Sequence, residues 1–289
     1  MMQRLLRKLA EVENKGRFTD VLGLTLGRAP PVGVVAADEV EVRDFVVPAR
    51  LVLPSSGELG LGAVVALFDE VSTFGIMERD RTHRWGVSVS LSATRHGDAP
   101  LPSAGEKVRI SSRTVRLGRT LGFCDCALES EDGALLASGR HTKYLPTGIP
   151  LWDALMAPPF RPLFLRYLDW AAASKPSPPP VDEVLEAMRH VDDAVRVGEG
   201  GAFVPDAMVG NMAGNAHGGA LSIAASRVAA AGRGAAAQQP RSMHCEFLSA
   251  VAPGAPLSVA ATAAAATATR VEITRGATRV FQAQVAWDR

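Results

Sequence analysis

Two stretches of the chain can be laid on one another, and each carries what the other lacks. The first reads Gly60-Leu61-Gly62-Ala63 and reaches Asp69 nine positions after Gly60. The second reads His217-Gly218-Gly219-Ala220 and reaches Ser226 at the same offset. A carboxylate can take a proton or attack as a nucleophile. A glycine turn that opens a helix directs unpaired N–H groups, and the positive end of the helix dipole, at negative charge. One copy keeps the acid and the other keeps the turn. The spacing therefore predicts one composite centre between two halves, with a vestige at the reciprocal position.

Asp69 lies in a helix predicted over roughly 62–77 whose only charges are Asp69 and the adjacent Glu70. Its neighbours one turn away are Val65, Ala66, Ser72 and Thr73, so it has no polar face to look out from. Burying a carboxylate is costly, which points to a working role for Asp69. Glu70 reads as structural or solvent-facing.

The elements that must position these residues repeat in order. After the first helix come strand-like runs at 85–93, 107–116, 120–129 and 134–144, the last two joined by Asp132-Gly133, a hairpin signal. A second helix is predicted over 218–231, followed by runs at 243–250, 257–263, 269–274 and 278–287. Each half reads as one buried helix wrapped by a meandering antiparallel sheet, an α+β arrangement. Nine of the 19 prolines fall between Pro146 and Pro180 and set the boundary. The expected organisation is 1–145 as the first domain, 146–182 as a Pro-rich connection and 183–289 as the second domain.

Composition narrows the function classes. With 289 residues, 21% charged and 47% hydrophobic, the chain has room for two packed domains. A net charge of +1 provides no general field for nucleic acid or an acidic membrane. Cys124, Cys126 and Cys245 cannot all pair and form no CxxC knuckle, which suits a reducing compartment. No apolar run approaches the ~20 residues that span a bilayer. A cytoplasmic setting is expected. The basic start, Met1 to Lys8, offers a mitochondrial alternative that Glu11 and Glu13 weaken, an ordinary helix being the simpler reading. Gly57 to Gly62 lacks both a strand-first GxGxxG and a P-loop lysine, Ser55-Ser56-Gly57 is no nucleophile elbow, and no HExxH occurs. Neither a cofactor nor a metal is expected.

Three further segments carry a family resemblance: Gly86-Val87-Ser88-Val89, Leu117-Gly118-Arg119-Thr120-Leu121, and Leu136 to Leu145, reading LASGRHTKYL. They resemble the hotdog-fold acyl-CoA thioesterases, first the small thioesterase-superfamily members of eukaryotes and next the phenylacetate-pathway thioesterases. The likeness runs from about Phe18 to Leu145 and returns more weakly from about Val204 onward. It implies a double hotdog in which a dimer of single domains has become one chain. It also implies that Asp69 is the catalytic carboxylate, as base or as nucleophile, and that Ser88 holds the attacking water. Asn211 and Gly218 would be donors to the thioester oxygen, and His217 would orient the turn. At the reciprocal site Pro54, Gly60 and Ser226 replace the asparagine, the histidine and the acid, so that site is expected to be dead.

The resemblance makes acyl-CoA the substrate, with coenzyme A as part of it rather than a cofactor. Its phosphates need cations at the pocket mouth. Candidates are Arg113, Arg116 and Arg119 on one hairpin and Arg140, His141 and Lys143 on the last strand of the first half. Hydrolysis to free acid and coenzyme A is the expected reaction. The alternatives are an enoyl-CoA hydratase or dehydratase using His217 with Asp69, and a non-catalytic acyl-CoA-binding protein. The assembly is left open between a homodimer and a monomer.

Overall fold

The computed structural model describes residues 33–53, 56–81, 84, 86–146, 201–203, 205, 210, 211, 215–233, 240–252 and 254–288, with 160, 162, 163, 166 and 170. The amino-terminal segment, Pro54, and almost all of the Pro-rich connection lie outside these residues.

Among the described residues eleven strands form one antiparallel sheet: β1 (Gly33–Ala36), β2 (Glu39–Val46), β3 (Val87–Arg95), β4 (Lys107–Leu117), β5 (Leu121–Ser130), β6 (Leu135–Tyr144), β7 (Gly201–Phe203), β8 (Pro240–Phe247), β9 (Leu257–Ala265), β10 (Ala268–Arg275) and β11 (Thr278–Trp287). Their spatial order is β1-β2-β4-β5-β6-β3-β8-β11-β10-β9-β7. Apart from β1, the two flanks mirror each other about the β3–β8 pair, where Leu91 stands opposite Cys245 and Ala93 opposite Met243. The expected meander holds for β4-β5-β6 and for β9-β10-β11. The strand after each helix departs from it, because β3 and β8 run to the middle and join the halves. Alternation of residues sets which face a strand buries, not which strand it pairs with.

Two α-helices, α1 (Leu61–Arg79) and α2 (Gly218–Ala231), pack against the sheet and against each other. They fall where the sequence placed them. In α1 Leu61, Val64, Val65, Ala66, Leu67, Phe68 and Val71 have no exposed surface, so the helix is enclosed on all sides as far as Ser72. The helices meet where Gly62 abuts Ser226 and Ile223. A Cβ at Gly62 would stand 2.6 Å from the Ser226 Cβ and 2.8 Å from the Ser222 carbonyl oxygen. No helix among the described residues is long and apolar enough to cross a membrane.

Candidate active site

The acid is fixed first. Asp69 sits mid-way along α1, 3% exposed, where helix geometry turns it away from the Phe68 side that packs under β6. Its Oδ1 accepts hydrogen bonds from the Ser88 hydroxyl on β3 at 2.9 Å and from the Lys143 ammonium on β6 at 2.9 Å. Lys143 also donates to the Thr73 hydroxyl, one turn further along α1. Burial alone would raise the Asp69 pKa. Lys143 foremost, with His217 and His141, overrides it and holds the carboxyl well below the usual carboxylate range.

The turn comes from the other half. His217 caps α2 with extended backbone, and its Nδ1 accepts the Gly219 N–H at 2.9 Å. This is the capping role that Ser, Thr, Asp or Asn usually performs. Nε2 lies 2.8 Å from Glu70 Oε1. The carbonyl of His217 receives the N–H groups of Ala220 and Leu221. That leaves Gly218 N–H as a first-turn donor with no protein acceptor among the described residues, as helix ends require. Gly218 presses on the acid: a Cβ there would be 3.1 Å from Asp69 Oδ2 and 2.6 Å from the Phe247 ring.

These groups open on one cavity of about 360 Å³. Asp69, Ser88, Lys143, Asn211, His217 and Gly218 line its polar end. Phe74, Met77, Val87, Val89, Phe247 and Val251 supply apolar wall. Asn211 is tied into its loop, its side-chain oxygen accepting the Asn215 N–H at 3.1 Å and its own N–H reaching the Asn215 carbonyl. Asp69, Ser88, Asn211, His217 and Gly218, five residues singled out from sequence, thus converge on one space drawn from both halves.

The reciprocal position is closed. The space bounded by Gly60, Gly62 and Ser226 holds only about 10 Å³. Leu61 stands where the second copy has Gly218, and its side chain is fully buried.

The basic candidates separate, and here the sequence reading needs correction. Along β6 side chains alternate between faces, so Arg140 points outward to Asp125 at 3.0 Å while His141 and Lys143 point inward, 0% and 3% exposed. Neither inward residue can meet a phosphate at a pocket mouth. His141 Nδ1 pairs with the Ser72 hydroxyl at 2.6 Å, and its Nε2, 3.7 Å from Asp69 Oδ1, has no hydrogen-bond partner. Burial, reinforced by Lys143, presses its pKa down to about 3, so the ring is neutral. Arg119 is exposed in the β4–β5 turn and does not line the cavity, nor do Arg113 and Arg116. Glu70, read as structural or solvent-facing, is 6% exposed and lines the cavity. The signal for Lys143 was its parity with Ala137, His141 and Leu145, all inward. For Glu70 it was the all-round apolar helix that carries it.

No family model matches the chain, and no curated protein matches it. Among solved structures, an acyl-ACP thioesterase from Bacteroides thetaiotaomicron is 14% identical, with 86% of this chain and 98% of that one covered and a TM-score of 0.57. The 12:0-ACP thioesterase from Umbellularia californica is 13% identical, with 89% and 99% covered and a TM-score of 0.59. Zebrafish thioesterase superfamily member 2 is 32% identical, with 40% and 80% covered and a TM-score of 0.36. On the two matches that span nearly the whole of both chains, this protein shares the fold of those two solved structures.

Proposed function

We propose that the chain is a double hotdog that hydrolyses acyl-CoA thioesters to free acid and coenzyme A at one composite site. The observation that carries this reading is the approach of Asp69 Oδ2, from the first half, to Gly218 at the start of α2, from the second. A reacting carbonyl set in the cavity would meet a carboxylate on one side and an unpaired helix-start N–H on the other. That is the pair of functions that thioester hydrolysis requires.

In this mechanism the thioester oxygen lies on Gly218 N–H, with the Asn211 amide beside it, and both bind it more strongly as it becomes an oxyanion. Ser88 holds water against Asp69, which takes the proton, or Asp69 attacks the carbonyl itself and water then cleaves the anhydride. The sulfur departs as thiolate. His217 does not move protons in this scheme, since Nδ1 is taken by Gly219 and Nε2 by Glu70. That disfavours the hydratase alternative. Arg119 stays the candidate for a coenzyme A phosphate, because the Thr120 carbonyl accepts the N–H of Leu145, next to cavity-lining Tyr144.

The test is release of free thiol from a panel of saturated and enoyl-CoA thioesters by the wild type and Asp69→Asn. Hydrolysis that collapses in Asp69→Asn supports the reading. Hydration of enoyl-CoA without thiol release supports the hydratase. Acyl-CoA that raises the melting temperature and is never cleaved supports a binding protein.

A further inference from the structure

We propose that Glu70 is a positioning residue for the oxyanion-binding turn: it holds the His217 ring with its proton on Nε2, so that Nδ1 accepts the Gly219 N–H and fixes Gly218 in place. The inference rests on the thioesterase reading above and adds a residue to its site.

A neutral imidazole donates from one nitrogen and accepts at the other. Here Nε2 faces the Glu70 carboxylate at 2.8 Å, and Nδ1 faces a backbone N–H at 2.9 Å. Only the Nε2–H form satisfies both. The opposite form would set two donors against each other at Gly219 and leave Nε2 without its proton in front of a carboxylate. Both residues are buried, Glu70 at 6% and His217 at 8%, so water is poorly placed to substitute for either contact. Asp69 Oδ2 lies 3.6 Å from Nδ1. A proton on Nδ1 would turn toward that oxygen and occupy the atom that has to act on the thioester. Glu70 therefore keeps the cap made and the reactive oxygen clear, and it does so from the helix that carries Asp69 across to the helix that carries Gly218.

The groups facing His217 are Asp69 and Glu70 from α1 and Lys143 from β6, with His141 behind them neutral. Removing the Glu70 charge lowers the His217 pKa, whereas removing its acceptor oxygens as well releases the tautomer. Two variants separate the effects. Glu70→Gln retains an acceptor for Nε2–H and loses the charge; Glu70→Leu loses both.

The experiment measures kcat, KM and the pH–rate profile of both variants, together with the imidazole nitrogen shifts of His217. Glu70→Leu is expected to lower kcat by about tenfold to a hundredfold, somewhat less than deleting an oxyanion donor outright, with little change in KM and with mixed tautomers. Glu70→Gln is expected to keep the plateau kcat and the Nε2–H form while its acid limb moves to lower pH. Wild-type kcat and an intact Nε2–H form in Glu70→Leu would overturn the proposal. So would a folded Glu70→Gln that loses as much rate as Glu70→Leu. If Glu70→Leu does not fold, the acid limb and tautomer of Glu70→Gln decide alone. If the wild type cleaves no thioester, the thioesterase reading fails, and the nitrogen shifts still decide the role of Glu70.

Discussion

Asp69 and Lys143 form a buried ion pair, Oδ1 to Nζ at 2.9 Å, with each side chain only 4% exposed. Ser88 occupies the same oxygen. Lys143 and Ser88 thus hold Oδ1, and Oδ2 is the oxygen turned to Gly218. Asp69→Asn should lower kcat by about 10²–10⁴, the usual worth of a positioned base. It also leaves the Lys143 ammonium buried without its countercharge, which is strongly destabilising. Adding Lys143→Met should restore the melting temperature and leave kcat low. Recovery of rate in the double variant would mean that Asp69 served only to neutralise the lysine.

The same pair fixes a pH dependence. The folded Asp69 pKa lies below its unfolded value, so the carboxylate contributes stability above an ordinary ~3.9 that is lost as pH falls through the folded value. Wild-type melting temperature should therefore be resistant to mild acid as far as Asp69 is concerned. In Lys143→Met the largest lowering influence is gone and burial pushes the pKa up. With the folded value above the unfolded one the slope reverses: the Asp69 contribution is full below the unfolded value and is lost as pH rises through the folded one. Melting curves of the two proteins across the acid range provide the check, and superimposable pH dependence would contradict it.

His217 should give opposite responses in rate and stability. Burial disfavours the imidazolium, but Glu70 and then Asp69 more than offset that and raise its pKa above the ordinary 6.5. A raised folded pKa contributes stability that is full below the unfolded value and is lost as pH rises through the folded one. Protonation, however, fills Nδ1 and removes the acceptor for Gly219 N–H. On acidification through this pKa kcat should fall while the His217 contribution to stability grows. In His217→Asn, where an amide oxygen can still cap the helix, that acid limb should disappear.

Much of this site could be read from the sequence because it is written in residue types. Asp69 stood out as an acid on an apolar helix, and the offset shared with Ser226 tied it to His217 and Gly218 across the chain. The two helices and most strands were legible from periodicity. The sheet order was not, since nothing local tells β3 to leave its neighbours and pair with β8. Lys143 was misplaced for a related reason. A lysine in a strand resembles a solvated face until its parity with Ala137 and His141 is weighed, and only burial beside Asp69 makes an inward ammonium tolerable. Glu70 was underrated because its partner, His217, lies in the other half of the chain.

The two glycines that abut the facing helices should separate catalysis from folding. At Gly218 an added Cβ meets the Phe247 ring at 2.6 Å and Asp69 Oδ2 at 3.1 Å. The ring can swing into the cavity, so Gly218→Ala should fold, with kcat lowered through a displaced acid and a crowded N–H. At Gly62 the added Cβ meets the Ser226 Cβ at 2.6 Å and the backbone of Ser222 and Ile223 at 2.8 and 3.0 Å, none of which can swing aside. Gly62→Ala should therefore lower the melting temperature by forcing α1 and α2 apart, an overpacking cost of about 1–3 kcal/mol, with kcat per folded molecule much less affected. Ser226→Ala removes a hydroxyl beside a space of only about 10 Å³, too small for a substrate, and should leave kcat unchanged. A large loss of rate in Ser226→Ala would mean that the closed position takes part in turnover, and the single composite centre would have to be abandoned.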